Sequence, residues 1–247
     1  MKIALCVSGL MRTFVKCHES IIKHIIEPNQ ADLFISTWNV LGVGTYKVPG
    51  QPWIPMPGEE KNISEDQIRS TYGDYLKELH IEDWESTQKN FWAELKASRR
   101  NKPHWVAHDP RMMAVTHRLA SMHYKIGQAN RIRKEYENKN GIKYDYVIRG
   151  RPDIKHNKTL KLSEYDIKWP DVFCDKEHSY GYVCDQFCFG TSEVLDIYCS
   201  VYPKIWKYNN QIAAYNAENM MQHHLLVNGI NVITINMDYK VVGLTER

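Results

Sequence analysis

Apolar residues alternate at Ile3, Leu5 and Val7, and the run from Lys2 to Leu10 predicts a buried strand that turns out through Ser8-Gly9. From Phe14 to Ile26 the spacing becomes helical, with Val15, Ile21, Ile22, Ile25 and Ile26 in phase and a stop before Pro28. Ala31–Trp38 predicts a second buried strand, so the chain opens with a βαβ unit and a parallel sheet. Eight glycines and prolines between Gly42 and Gly58 exclude regular structure from most of residues 40–62. They predict a long loop, with Trp53 packing it onto the body. Ser64 and Gln67 form a capping box for a helix through Tyr72, and Glu85–Arg100 reads as another amphipathic helix. The strongest helical pattern is Pro110–Asn138, capped by Asp109, with Val115, Leu119, Met122, Ile126, Ala129, Ile132 and Tyr136 in phase. Asn140-Gly141 ends it. Further strands are expected at Val172–Cys174, Gln186–Phe189 and Val232–Ile235, and helices at Ser192–Tyr208 and Ala213–Val227.

Composition narrows the class without naming a function. Across 247 residues, 43% hydrophobic and 25% charged side chains suit one α/β domain spanning residues 1–247. A net charge of +3 with no basic run argues against a nucleic-acid partner. No apolar run approaches membrane-spanning length, and the one at residues 3–11 ends at Arg12 without a cleavage pattern. Six cysteines without a Cys-x-x-Cys pair read as reduced thiols, and a cytoplasmic location is expected.

Candidate chemistry concentrates at Tyr144–Asp153. An apolar run ends there in Arg149, Arg151 and Asp153, and open α/β sheets build ligand sites where strands end. Two guanidiniums suit a diphosphate, and the carboxylate could share those phosphates with a divalent ion, Mn or Mg. The plainer alternative is an Arg/Asp salt bridge capping the strand. Ser8, Gly9, Arg12 and Thr13 form a strand-to-helix turn of the type that binds anions, although a simple capped turn has the same composition. Asp185 stands before a short strand that runs into Gly190. Glu218 lies on the same helix as His223 and His224, but Ala217 and Met221 occupy the positions where a His-Glu-x-x-His zinc motif needs histidines.

Residues 146–154, Tyr-Val-Ile-Arg-Gly-Arg-Pro-Asp-Ile, resemble the strand-plus-Asp-x-Asp segment of GT-A glycosyltransferases. The order Ser-Gly-x-x-Arg-Thr, Asp-x-Phe-x-Ser-Thr-Trp, Arg-x-Arg-x-Asp and Asp-Gln-Phe-x-Phe-Gly is similar to that of short soluble glycosyltransferases of large DNA viruses and bacterial polysaccharide clusters. The resemblance implies a GT-A-like, Rossmann-type fold: a mostly parallel central sheet flanked by helices. It also implies transfer of a sugar from a nucleoside-diphosphate sugar to a glycan or other hydroxyl acceptor. Asp153 takes the place of the second aspartate and a metal ligand, whereas Arg151 stands where the first aspartate belongs. That departure leaves two alternatives open. One is a metal-independent enzyme similar to fucosyltransferases with arginine-rich motifs, and the other is a nucleotide-sugar or glycan-binding protein without turnover. Glu218 matches the base-bearing segment, with Asp185 in reserve.

Overall fold

Every residue of the first strand, β1 (Ile3–Ser8), is buried, as expected of a strand covered on both faces. Its alternation divides the interior. Ile3, Leu5 and Val7 enter one hydrophobic cluster, and Ala4 and Cys6 enter the other. The computed structural model describes residues 1–41, 45–46, 54–55, 62–98, 110–176, 183–211 and 217–243. The expected loop around Trp53, the Asp109 cap and the side chain of Val115 fall outside the described residues.

After β1 come α1 (Phe14–Ile21), β2 (Asp32–Trp38), α2 (Glu65–Tyr72), β3 (Leu76–Glu82), α3 (Trp84–Ser98) and the long α4 (Pro110–Asn140). Next are β4 (Tyr146–Gly150), β5 (Ile154–His156), β6 (Asp171–Asp175) and β7 (Cys188–Thr191). The chain closes with α5 (Ser192–Tyr198), α6 (Ile205–Gln211), α7 (Ala217–Val227), β8 (Asn231–Ile235) and β9 (Tyr239–Val241). Seven strands form one mixed, mostly parallel sheet in the order β8-β6-β7-β4-β1-β2-β3, with β7 antiparallel to both neighbours. Helix α4 packs across β1, β2 and β3 on one face. On the other face α1 packs on β5, which pairs antiparallel with β9. The α/β expectation holds at this level.

Several local expectations need correction. Helix α1 does not stop before Pro28; it widens into a π turn at Ile22–Ile26 and closes with Glu27–Asn29. Pro28 falls in the first turn of that closing segment, where its missing N–H is not needed. The single helix expected over Ser192–Tyr208 is broken at Cys199, and a 3-10 turn at Tyr202–Lys204 precedes α6. Pro203 cannot donate to the carbonyl four residues back, so a continuous helix would lose that bond. Strand β3 is absent from the periodicity reading because Lys77, Glu78, His80 and Glu82 obscure its alternation. Tertiary partners meet three of these polar groups: Lys77 pairs with Asp32 (3.4 Å), His80 lies 3.2 Å from the Ser36 hydroxyl, and Glu82 accepts from Tyr124 (2.8 Å). Lys125 of α4 donates to Glu82 (2.5 Å), lies 3.9 Å over the Trp38 ring, and is pushed down to about 8 chiefly by burial.

Three histidines, His123, His156 and His224, are buried within this framework, and burial acts most strongly on the first two. His123 has no partner for either ring nitrogen among the described residues, and His156 packs against Phe187 and Tyr239. Burial pushes both down to about 3, so both are neutral in the fold. The unfolded chain takes up these protons below about 6.5, so stability rises with pH between roughly 3 and 6.5 and falls on acidification through that window. Each of these two should cost about 1.4 kcal/mol per pH unit there. Urea midpoints taken above the carboxylate range should drop from neutral pH downward, and His123→Leu should flatten the slope. A midpoint independent of pH in that window would show that these rings protonate in place.

Candidate functional site

Strand β1 has β2 on one side and β4 on the other, so the chain order reverses direction between β1 and β4. In open α/β sheets the crevice beyond the carboxyl ends of such strands takes ligands. Val7 pairs with Gly150, which brings the ends of β1 and β4 level and sets the Gly9–Thr13 turn beside Arg151–Asp153. Gly9 has φ +126°, its N–H donates to Ser36 (3.2 Å), and its α-carbon faces the Pro152 ring. A side chain at Gly9 would be strained by this φ, although its Cβ would meet the Pro152 ring only in ordinary contact at 3.8 Å.

Asp153 is the hub. Its Oδ1 accepts from Arg151 Nε (2.8 Å), and its Oδ2 accepts from Arg151 Nη2 (2.7 Å) and Arg12 Nη2 (2.8 Å). The carboxylate side chain is 2% exposed, while those of Arg12 and Arg151 are 29% and 22% exposed. Burial by itself would raise the Asp153 carboxyl, but Arg151 and then Arg12 overcome it and hold the group below the ordinary carboxylate range. Within this triad two cations face one anion, and Asp185 lies close enough to Arg151 to offset part of the excess charge. Asp153 holds the Arg151 plane through two N–H groups and Arg12 through one, so Arg151 has little freedom left to lose when it meets an anion.

The remaining candidates take different places. Ser8 is buried, and the Thr13 hydroxyl donates to the Val242 carbonyl (2.9 Å). Val242 N–H donates to the Asp153 carbonyl (2.8 Å), so the segment after β9 straps the site from both sides. Arg149 points into the protein rather than to the edge. It is 1% exposed, donates to the Gln186 carbonyl, and its Nε has no partner among the described residues. Its role is to hold the turn that carries Asp185. Tyr198 also braces that turn, donating to the Cys184 carbonyl (3.1 Å), and the Cys184 sulfur lies 3.4 Å from the Tyr239 hydroxyl.

Asp185 is buried, close enough to Arg151 to strengthen its hold on its proton, and close enough to Glu218 to disfavour that group's ionisation. Glu218, in the first turn of α7, is half-buried; burial and then Asp185 raise its carboxyl above the ordinary range. Thus Arg12, Arg151, Asp153, Asp185 and Glu218 share one electrostatic neighbourhood. His224 does not join it, being buried and bonded to Tyr208 (2.9 Å) and the Ile197 carbonyl (2.7 Å). The bracing residues Cys184, Tyr198, Tyr239 and Val242 carry no sequence signal for this role, since Thr13 and Val242 lie 229 positions apart.

The donor set fits an anion better than a divalent cation. Both Asp153 oxygens already accept from guanidiniums, and no group of three His, Cys, Asp or Glu converges among the described residues. Clefts of about 430 and 400 Å3 open around Tyr202 and Pro203, but neither is lined by these charged residues. The edge is the better candidate because it combines convergent charge with the switch point. No family model matches the chain, and no curated protein matches it. No helix among the described residues is long and apolar enough to cross a membrane.

Proposed function

We propose that this protein is a GT-A-like glycosyltransferase that moves a sugar from a nucleoside-diphosphate donor to a glycan or other hydroxyl acceptor. The observation that carries the reading is the Arg12–Asp153–Arg151 cluster at the β1/β4 switch point, with Asp185 and Glu218 nearby. In the transfer, the bond between the anomeric carbon and the donor phosphate oxygen breaks and a bond to the acceptor oxygen forms. Charge builds on the departing diphosphate, where Arg12 and Arg151 stabilise it in place of a metal ion. The acceptor proton passes to Glu218, whose raised proton affinity makes it a stronger base. Six free, buried thiols suit a reducing compartment such as the cytoplasm.

Thermal-shift titration with UDP, GDP, CDP and dTDP, each with and without a chelator, tests the site. One of them should stabilise the fold by about 2.7 kcal/mol at one hundred times Kd, and the chelator should leave the shift in place. Silence from all four at millimolar concentration would remove the reading. A shift without any release of nucleoside diphosphate from its sugar-bound form would favour a binding protein without turnover.

A further inference from the structure

The two edges of the central sheet are built differently. Strand β3 carries Lys77, Glu78, His80 and Glu82, the charged composition that protects an edge from further pairing. Strand β8, at the opposite edge, reads Asn-Val-Ile-Thr-Ile, with no charge and no proline. Val232 and Ile233 are 37% and 36% exposed, and Leu226 and Val227 at the end of α7 are 74% and 55% exposed. Val232 lies level with Val172, which belongs to the cluster that α7 also enters, so Val232 and this helix share a face of the sheet.

The backbone defines the edge further. Asn231 N–H donates to Pro170 (3.0 Å) and the Ile235 carbonyl accepts from Lys176 (2.8 Å), which places Asn231, Ile233 and Ile235 in the ladder with β6. The alternate residues, Val232 and Thr234, therefore direct their N–H and C=O groups away from β6. Among the described residues no strand pairs with that side.

We infer that β8 is a dimerisation edge, pairing antiparallel with β8 of a second copy of this chain. One register satisfies both copies. Val232 lies opposite the partner's Thr234, Thr234 lies opposite the partner's Val232, and these pairs exchange four N–H···O bonds. Ile233 then meets the partner's Ile233 on the two-fold axis, in the narrow pair where opposing α-carbons are about 4.5 Å apart. A two-fold interface needs a surface complementary to itself, and an uncharged strand centred on an isoleucine meets that need without like charges facing each other. Leu226 and Val227 are exposed at the end of α7, the helix that leads into β8, and add to the apolar surface of this region. Strand β8 stands three strands from β4, about 14 Å at the usual spacing, so dimerisation leaves the candidate site open whatever reaction occurs there.

Sedimentation equilibrium from micromolar to submillimolar concentration, with amide hydrogen exchange over the same range, tests this. The wild type should be a dimer, and exchange at Val232 and Thr234 should slow as concentration rises, while Ile233 is protected throughout. Thr234→Pro removes only an outward N–H and should give a folded monomer. Ile233→Lys sets like charges across the axis and should do the same, deciding the matter if the proline variant fails to fold. A wild type that stays monomeric, or a dimer that survives the folded variants, overturns the inference.

Discussion

Asp153→Asn should destabilise the fold by about 3 kcal/mol and abolish nucleotide binding together, because one carboxylate organises both. Asp153 is almost fully buried and accepts three hydrogen bonds from Arg12 and Arg151. An amide removes the negative charge and leaves two guanidiniums repelling each other across it. Breaking a buried pair costs roughly 3–5 kcal/mol, and partial exposure of both arginines places this case at the low end. Its pH signature follows from the lowered carboxyl. That stabilisation is complete above the unfolded-state value and is lost as pH falls through the folded one, which Arg151 and Arg12 hold below the ordinary carboxylate range. Urea unfolding with nucleoside-diphosphate titration of the same variant checks both parts. A folded Asp153→Asn protein with wild-type midpoint and turnover would remove Asp153 from the site and from the stability argument.

Glu218→Gln should retain the nucleotide-induced thermal shift and lower turnover by about 10²-fold or more, the usual size of a lost general base. The base works deprotonated, and burial and Asp185 both raise the Glu218 carboxyl. The acid limb of the kcat profile should therefore lie above the ordinary carboxylate range, with activity rising through it. Asp185→Asn removes one of the two causes, so it should shift that limb to lower pH while leaving the plateau rate close to wild type. Should Asp185→Asn abolish the plateau and Glu218→Gln stay active, the two roles are exchanged. Should both variants stay active, neither carboxylate is the base, and a retaining mechanism or a base on the substrate becomes the better account.

Local pattern determined the opening βαβ unit, the long helix α4, and the approximate places of β4, β6, β7 and β8. The βαβ unit and α4 show apolar residues at period 2 or 3.6, whereas β4, β6 and β7 are marked by short apolar runs buried throughout most of their length and β8 by its β-branched composition. Strands β5 and β9 span three residues each, too few to show a period, and exist because they pair with each other. Strand β3 hides behind charges whose partners, such as Lys125, lie on another element. The site divides along the same line. Spacing marked Arg12, Arg151 and Asp153 because charges concentrated at a strand end are conspicuous in one dimension. It could not say that Asp153 would bind both arginines, or that Arg149 would turn inward. Within β4 a side chain's face is set by alternation, and Arg149 shares its face with Val147, which packs in the α4 cluster. Gly150 ends the strand and frees Arg151 to turn toward Asp153. Which groups meet Arg149, Thr13 and Asp185 was decided by how β4, β9 and α5 come together, through contacts between residues far apart in the chain.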